Sequence, residues 1–297
     1  MKIVLDLKNK LLPTALILLA GINYGLIFPL NSMAMTAGAS YFGHAFWQTI
    51  ISGSLLLIVV LLIGIPFKLN FGYVRVYLLV GIFAFSIPMS LLTLVSIHIP
   101  VGMTSLVMGL SPTLTYLLGM LFKIERLSLM GILGIMLGFL GLIILLLPEL
   151  FLPSSEILIW FLIALITPFC LAIANISANF YNPIDSNAMS IGAGFLLAGA
   201  ASIFPLVVYF NQFYWPTNTS LIIPTIGASL VNFLHIILFA TIVKNYGAVF
   251  FSQFNYIVII FAIIWAFIIF TETPSSSIIL PLFLMTLGII LSSFRKK

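Results

Sequence analysis

The sequence predicts an all-α integral membrane protein of ten transmembrane helices, arranged as two inverted five-helix repeats. Three observations carry this expectation. Hydrophobic residues fill 63% of the 297 positions and charged residues only 6%, a balance that would coat a soluble domain with apolar surface. The apolar residues gather in runs of roughly 20, the length a helix needs to cross a bilayer core. The basic residues fall in alternate connections between those runs, as the positive-inside rule requires.

Cutting the chain at its polar, proline- and glycine-bearing breaks places spans at 11–33, 43–65, 73–95, 101–122, 128–147, 157–178, 187–210, 220–243, 247–270 and 276–293. Runs of this length satisfy their own backbone groups as helices, whereas a barrel would need roughly 10-residue alternating strands. The amino-terminal MKIVLDLKNKLLPTALILLAG opens like a secretory signal. Its apolar stretch continues to about Met35, however, so it reads as a retained first span. Span one carries Asn23, Tyr24 and Asn31 around Pro29, and span two carries Gln48, Thr49 and Ser52. Span three contains Pro88, whose missing N–H frees the carbonyl of Ala84. Span four has Ser111 before Pro112. Span five bears Gly131, Gly134, Gly138 and Gly141 on one smooth stripe, suited to close packing within the bundle or to a homodimer seam. Span six has Asn175 and Ser177 after Pro168, span eight has Ser229, Asn232 and His235, and span nine opens with Ser252, Gln253, Asn255 and Tyr256.

With these cuts all 11 lysines and arginines lie on one face: Lys2, Lys8 and Lys10, then Lys68 and Arg75, Lys123 and Arg126, Lys244, and Arg295, Lys296 and Lys297. That face is expected to be cytoplasmic, with both termini inside a multi-pass protein of the cell (inner) membrane. A missing or invented span would move every later basic residue to the other side.

Sliding the chain against itself by 147 residues sets KIERLS on FTETPS, with Glu125 over Glu272, Gly141 over Gly288 and Ser105 over Ser252. The halves, 1–148 and 149–297, hold five spans each, and an odd number turns the second half upside down. Inverted repeats of this kind place a site near the midplane that opens to either side in turn.

The segment VGMTSLVMGLSPTLTYLLGMLFKIERLSLMGILGIMLGFLGLIILLLP, 101–148, resembles the EamA-type signature of the drug/metabolite transporter superfamily. It shows a small-residue start, a Ser-Pro in mid-span, a Glu at the exit and a glycine-rich next helix. GAVFFSQFNYIVIIFAIIWAFIIFTETPSSS, 247–277, resembles the second copy, departing from it at Tyr256 and Ile259, near where a proline often sits. The resemblance implies a ten-span transporter of metabolites, often an exporter of amino acids or related molecules. It also implies a central cavity lined by spans one, three, four, six, eight and nine, a set that leaves out Gln48, Thr49 and Ser52.

On span eight, Ser229, Asn232 and His235 recur at every third residue and cover about 120 degrees of the helix, so they can share one stripe. Strongly polar groups inside a membrane mark pathways or interhelical bonds. The expected substrate-binding residues are Asn23, Tyr24, Ser111, Asn175, Asn232, His235, Gln253 and Tyr256. His235, with a reference pKa of about 6.5, is the candidate for proton coupling, and Pro88, Pro112 and Pro168 are the candidate hinges. His44 and His98 are expected at the hydrated outer boundary, without a role. Trp265 reads as packing, and Glu125, Glu149, Glu156, Asp185 and Glu272 as loop or helix-end charges.

This cavity offers no Asp, Glu, Lys or Arg, so its substrate should be neutral, zwitterionic or weakly charged, since an unpaired buried ion is expensive to desolvate. The sequence lacks G-x-x-x-x-G-K-[ST], which argues against ATP hydrolysis. No cofactor, metal site or nucleic-acid surface is expected. The single cysteine, Cys170, cannot form an intramolecular disulfide. A membrane enzyme is disfavoured because the three histidines are far apart with no carboxylate at ligand spacing. A channel-like facilitator is the alternative to a carrier. The expected partners are a small-molecule substrate and the lipid bilayer.

Overall fold

The computed structural model describes residues 2–124, 129–151, 155–246, 254–271 and 279–293. Among these residues the chain is helical throughout, joined by short connections. Seven helical runs are long and apolar enough to cross a membrane: α1 (Leu12–Thr36, extended back to Lys2), α2 (Tyr41–Leu62), α3 (Phe71–Val95), α4 (Val101–Leu121), α6 (Leu158–Tyr181), α7 (Ala188–Tyr209) and α8 (Thr219–Tyr246). Further apolar helices, α5 (Leu129–Phe151), α9 (Phe254–Phe270) and α10 (Ile279–Ser293), stand where the sequence predicts spans five, nine and ten.

Prolines set the breaks inside these runs. A proline offers no N–H to the carbonyl four residues back, and its ring crowds that carbonyl. Accordingly α1 is interrupted at Leu26 ahead of Pro29, α4 at Gly109–Leu110 ahead of Pro112, and α6 at Leu165 ahead of Pro168. In α3 the break is a π turn, Gly81–Ser86, ahead of Pro88, with the Ile87 N–H bonded to the Ile82 carbonyl. The carbonyl of Ala84 therefore lies where the helix has already shifted its register.

The ends of α2 and α7 are built alike, at positions that coincide when the halves are aligned. Ser40 and Asn187 provide the extended residue before each helix, and the Asn187 side chain accepts from the N–H groups of Met189 and Ser190. After each helix a residue takes positive φ, Gly64 at 74° and Asn211 at 53°. The next N–H then reaches back, Ile65 to Val60 at 2.9 Å and Gln212 to Val207 at 2.8 Å. Glycine and asparagine are the residues that tolerate this left-handed turn best.

Helix packing follows the same correspondence. α2 lies along α7, α5 along α10, and α4 touches α9. α1 packs on α9 and α8 as α6 packs on α4 and α3, and α2 meets α8 as α7 meets α3. The glycine stripe of α5 is filled within the chain. Gly131 faces Tyr116 and Gly138 faces Thr113, while a Cβ on Gly288 would lie 2.6 Å from the Gly134 carbonyl oxygen. A homodimer would need another face of α5. Trp265 is also committed to packing, donating from Nε1 to the Ile22 carbonyl at 3.1 Å and tying α9 to α1.

Candidate functional site

At the meeting of α1, α2 and α8 three amides form a chain. Asn232 Nδ2 donates to Gln48 Oε1 at 3.2 Å, and Gln48 Nε2 donates to Asn31 Oδ1 at 3.3 Å. None of the three is more than 1% exposed. The chain leaves a donor at one end, Asn31 Nδ2, and an acceptor at the other, Asn232 Oδ1, neither with a partner among the described residues.

One turn further along α8, His235 stands in a triangle of rings. Its centroid is 4.4 Å from Tyr24 of α1 and 4.9 Å from Phe254 of α9, and Tyr24 and Phe254 are 5.6 Å apart. Tyr24 and His235 are half-buried. Beside them Asn23 Nδ2 donates to the Val231 carbonyl at 3.0 Å, pinning α1 to α8. The three polar residues of the α8 stripe thus part company. Ser229 donates to the Thr225 carbonyl of its own helix, Asn232 reaches α2, and His235 turns toward α1 and α9.

Ser111 and Asn175 belong to a second group at the α4–α6 junction. Exposed Asn175 donates from Nδ2 to Thr115 Oγ1 at 3.1 Å, and Thr115 Oγ1 donates to the carbonyl of buried Ser111 at 2.7 Å. At the 147-residue offset of the sequence comparison, α4 and α6 fall on α9 and α1. Gln253, Glu125 and Glu272 lie outside the described residues. Tyr256 falls in α9, with its side chain outside the description.

Two expectations need correction. Gln48, set aside because it lies on α2, is the central link of the amide chain. His44, expected at a hydrated boundary, is 0% exposed, with Nδ1 3.4 Å from both the Tyr214 hydroxyl and Thr225 Oγ1. His44, Gln48 and Ser52 follow one another at steps of four, which puts them on one face of α2 as the steps of three do for Ser229, Asn232 and His235 on α8. His98 is partly exposed and stacks on Trp160 at 3.7 Å.

The two ends of the bundle differ. On the face carrying Lys68, the Lys68 ammonium and the Tyr73 hydroxyl both donate to Asp185, and the Arg75 guanidinium sits 3.7 Å over the Tyr181 ring, closing α3 against α6. The hydrogen bond from Lys68 holds the Asp185 carboxyl below its usual range, and the same bond raises Lys68. The corresponding α1–α8 junction at the other end holds a pocket of about 320 Å³, lined by Met33, Thr36, Ala37, Ser220, Ile223 and Pro224. Among the described residues no three His, Cys, Asp or Glu side chains converge as metal ligands.

Residues 12–147, which span α1 to α5, match the EamA-like transporter family. No curated protein matches the chain. A crystal structure of a protein with 17% sequence identity superposes with a TM-score of 0.67, covering 94% of this chain and 96% of that one. At that identity the likeness speaks for the fold. Its membrane-length helices, with the likeness of residues 12–147 to the EamA-like transporter family, make the chain a multi-pass membrane protein.

Proposed function

We propose that the chain is a secondary transporter that moves a small neutral, zwitterionic or weakly charged metabolite, an amino acid or related compound, by alternating access, with export as the net direction. The observation that carries this reading is the pairing of the His235–Tyr24–Phe254 triangle with the sealed Asn31–Gln48–Asn232 chain at the junction of α1, α2, α8 and α9. Polar groups so placed in an apolar bundle suit a ligand that is read by hydrogen bonds and ring contacts rather than by charge.

In this reading residues 1–148 and 149–297 are inverted repeats of five spans each, with both termini in the cytoplasm of a cell whose inner membrane holds the protein. Support comes from the matched ends of α2 and α7 and from helix neighbours that exchange in corresponding pairs. The halves rock about a midplane site containing Asn23, Tyr24, Asn232 and His235, to which Gln253 and Tyr256 are assigned from the sequence. Ser111 and Asn175 line the matching junction in the other half. Pro88, Pro112 and Pro168 are the flex points, each following a break in its helix. His235 is the group through which protons would couple.

Counterflow in proteoliposomes tests the carrier reading. After a thermal-shift screen of amino acids, nucleosides and small amines, unlabelled external hit compound should accelerate efflux of the labelled one. Efflux without such trans-stimulation would identify a channel-like facilitator instead.

A further inference from the structure

Alongside the amide chain, a second polar cluster occupies the seam between α2 and α8. Nδ1 of sealed His44 lies 3.4 Å from the Tyr214 hydroxyl and from Thr225 Oγ1, and those two hydroxyls are 3.2 Å apart. His44 precedes Gln48 by one turn on α2. On α8, Thr225 precedes Ser229, Asn232 and His235 at steps of four, three and three. The two clusters therefore follow each other along one helix–helix seam, with Asn31 of α1 closing its side.

Three atoms along this seam are buried and have no partner among the described residues: His44 Nε2, Asn31 Nδ2 and Asn232 Oδ1. The asparagine nitrogen is a donor, the asparagine oxygen an acceptor, and the imidazole nitrogen either one according to its tautomer. Unmade hydrogen bonds are costly where lipid surrounds the bundle. Water is the small ligand that donates and accepts at once, and buried polar sites with several such groups are where it is held.

We propose that this seam holds a file of internal water that connects the α7–α8 connection to His235, with His44 as the first imidazole on a proton path. The inference extends the carrier reading by giving its coupling residue a route. A proton moving inward adds to His44 Nδ1 from the Tyr214–Thr225 side, and the proton on Nε2 passes to the next water, which leaves the ring neutral as its other tautomer. No bond between heavy atoms changes and no net charge stays behind. The amides orient the water and carry no proton themselves.

The titratable group facing His44 is Tyr214, whose phenol burial pushes up, so that it remains a neutral hydroxyl. Thr225 from α8 and Asn31 from α1 add no charge to the seam. Tyr24 from α1 and Phe254 from α9 face His235.

Hydrogen exchange at the imidazole C2 position tests the path, because it needs water at the ring and proceeds through the protonated form. The chain has three histidines, His44, His98 and His235, so each is followed separately by mass spectrometry of the full chain held in lipid nanodiscs in D2O. His44 is expected to exchange despite its burial, at a rate within about tenfold of partly exposed His98. Gln48→Leu, which puts an apolar plug in the seam, is expected to slow His235 by about tenfold and to leave His98 unchanged. Asn31→Leu replaces it if Gln48→Leu does not fold. His44 unexchanged beside an exchanging His98 would show a dry seam and overturn the proposal, as would His235 exchange indifferent to the plug. Neither readout uses transport, so a failed counterflow assay would sink the carrier reading separately.

Discussion

Asn232 on α8 donates to Gln48 on α2 across 3.2 Å, and both side chains are sealed from solvent. A bond between two amides inside an apolar bundle holds those helices in one register, and its loss strands both partners. Gln48→Leu should destabilise the protein by about 1–3 kcal/mol, the cost of leaving buried polar groups unsatisfied. In a double-mutant cycle, Gln48→Leu and Asn232→Leu should show a coupling of about 0.6–2 kcal/mol. Equilibrium unfolding in mixed micelles measures both; additive effects would mean that the bond is not formed.

The Tyr24–His235 contact, 4.4 Å between centroids, separates ring from hydroxyl. Tyr24→Phe keeps the ring and should bind substrate like the parent. Tyr24→Ala should weaken affinity about 2- to 10-fold, the worth of one aromatic contact. Titration of the thermal shift with the screened hit compares the two.

The Lys68–Asp185 pair gives a signed pH response. Asp185 is depressed, so its contribution is complete above the ordinary carboxylate range and is lost as pH falls through its lowered pKa. Lys68 is raised, so its contribution holds below the ordinary lysine value and is lost as pH rises through its raised pKa. The connection between α6 and α7 should therefore be most protected between those limits and less so at high salt, which screens exposed pairs. Backbone hydrogen exchange of peptides covering 181–190 should rise in Asp185→Asn to the level of the parent in acid. Unchanged exchange would make the pair ornamental.

Gly288 tests the α5–α10 contact. A methyl group there would meet the Gly134 carbonyl oxygen at 2.6 Å and Gly138 N at 2.9 Å. Gly288→Ala should cost about 1–3 kcal/mol by overpacking, read as a lowered melting temperature. At Gly72 the nearest atom to an added Cβ is Asn70 Oδ1 at 3.6 Å, so Gly72→Ala serves as a control.

Much of this arrangement was legible along single helices. Apolar run length anticipated where helices form, and the hinge prolines at 88, 112 and 168 each follow a helix break, because both effects act within a few residues; the break ahead of Pro29 was not anticipated. Asn232 and His235 stood out because amides and imidazoles are rare in such runs. What could not be read was direction across helices. Periodicity put Asn232 and His235 on one stripe but could not say that Asn232 would reach α2 while His235 met Tyr24 and Phe254. Gln48 gave the same signal as Asn232 and was set aside on the span set that the resemblance implied. His44 was misplaced for a related reason: its position at the start of α2 suggested hydration, whereas the α7–α8 connection folds over it through Tyr214.

The most direct measurement of alternating access is the reactivity of His235→Cys, in a Cys170→Ser background, toward membrane-impermeant maleimide applied from each side of the membrane in turn. Labelling from both sides, with the balance shifted by the compound that supports counterflow, is the predicted result. Labelling from one side only, whatever is added, would contradict the account.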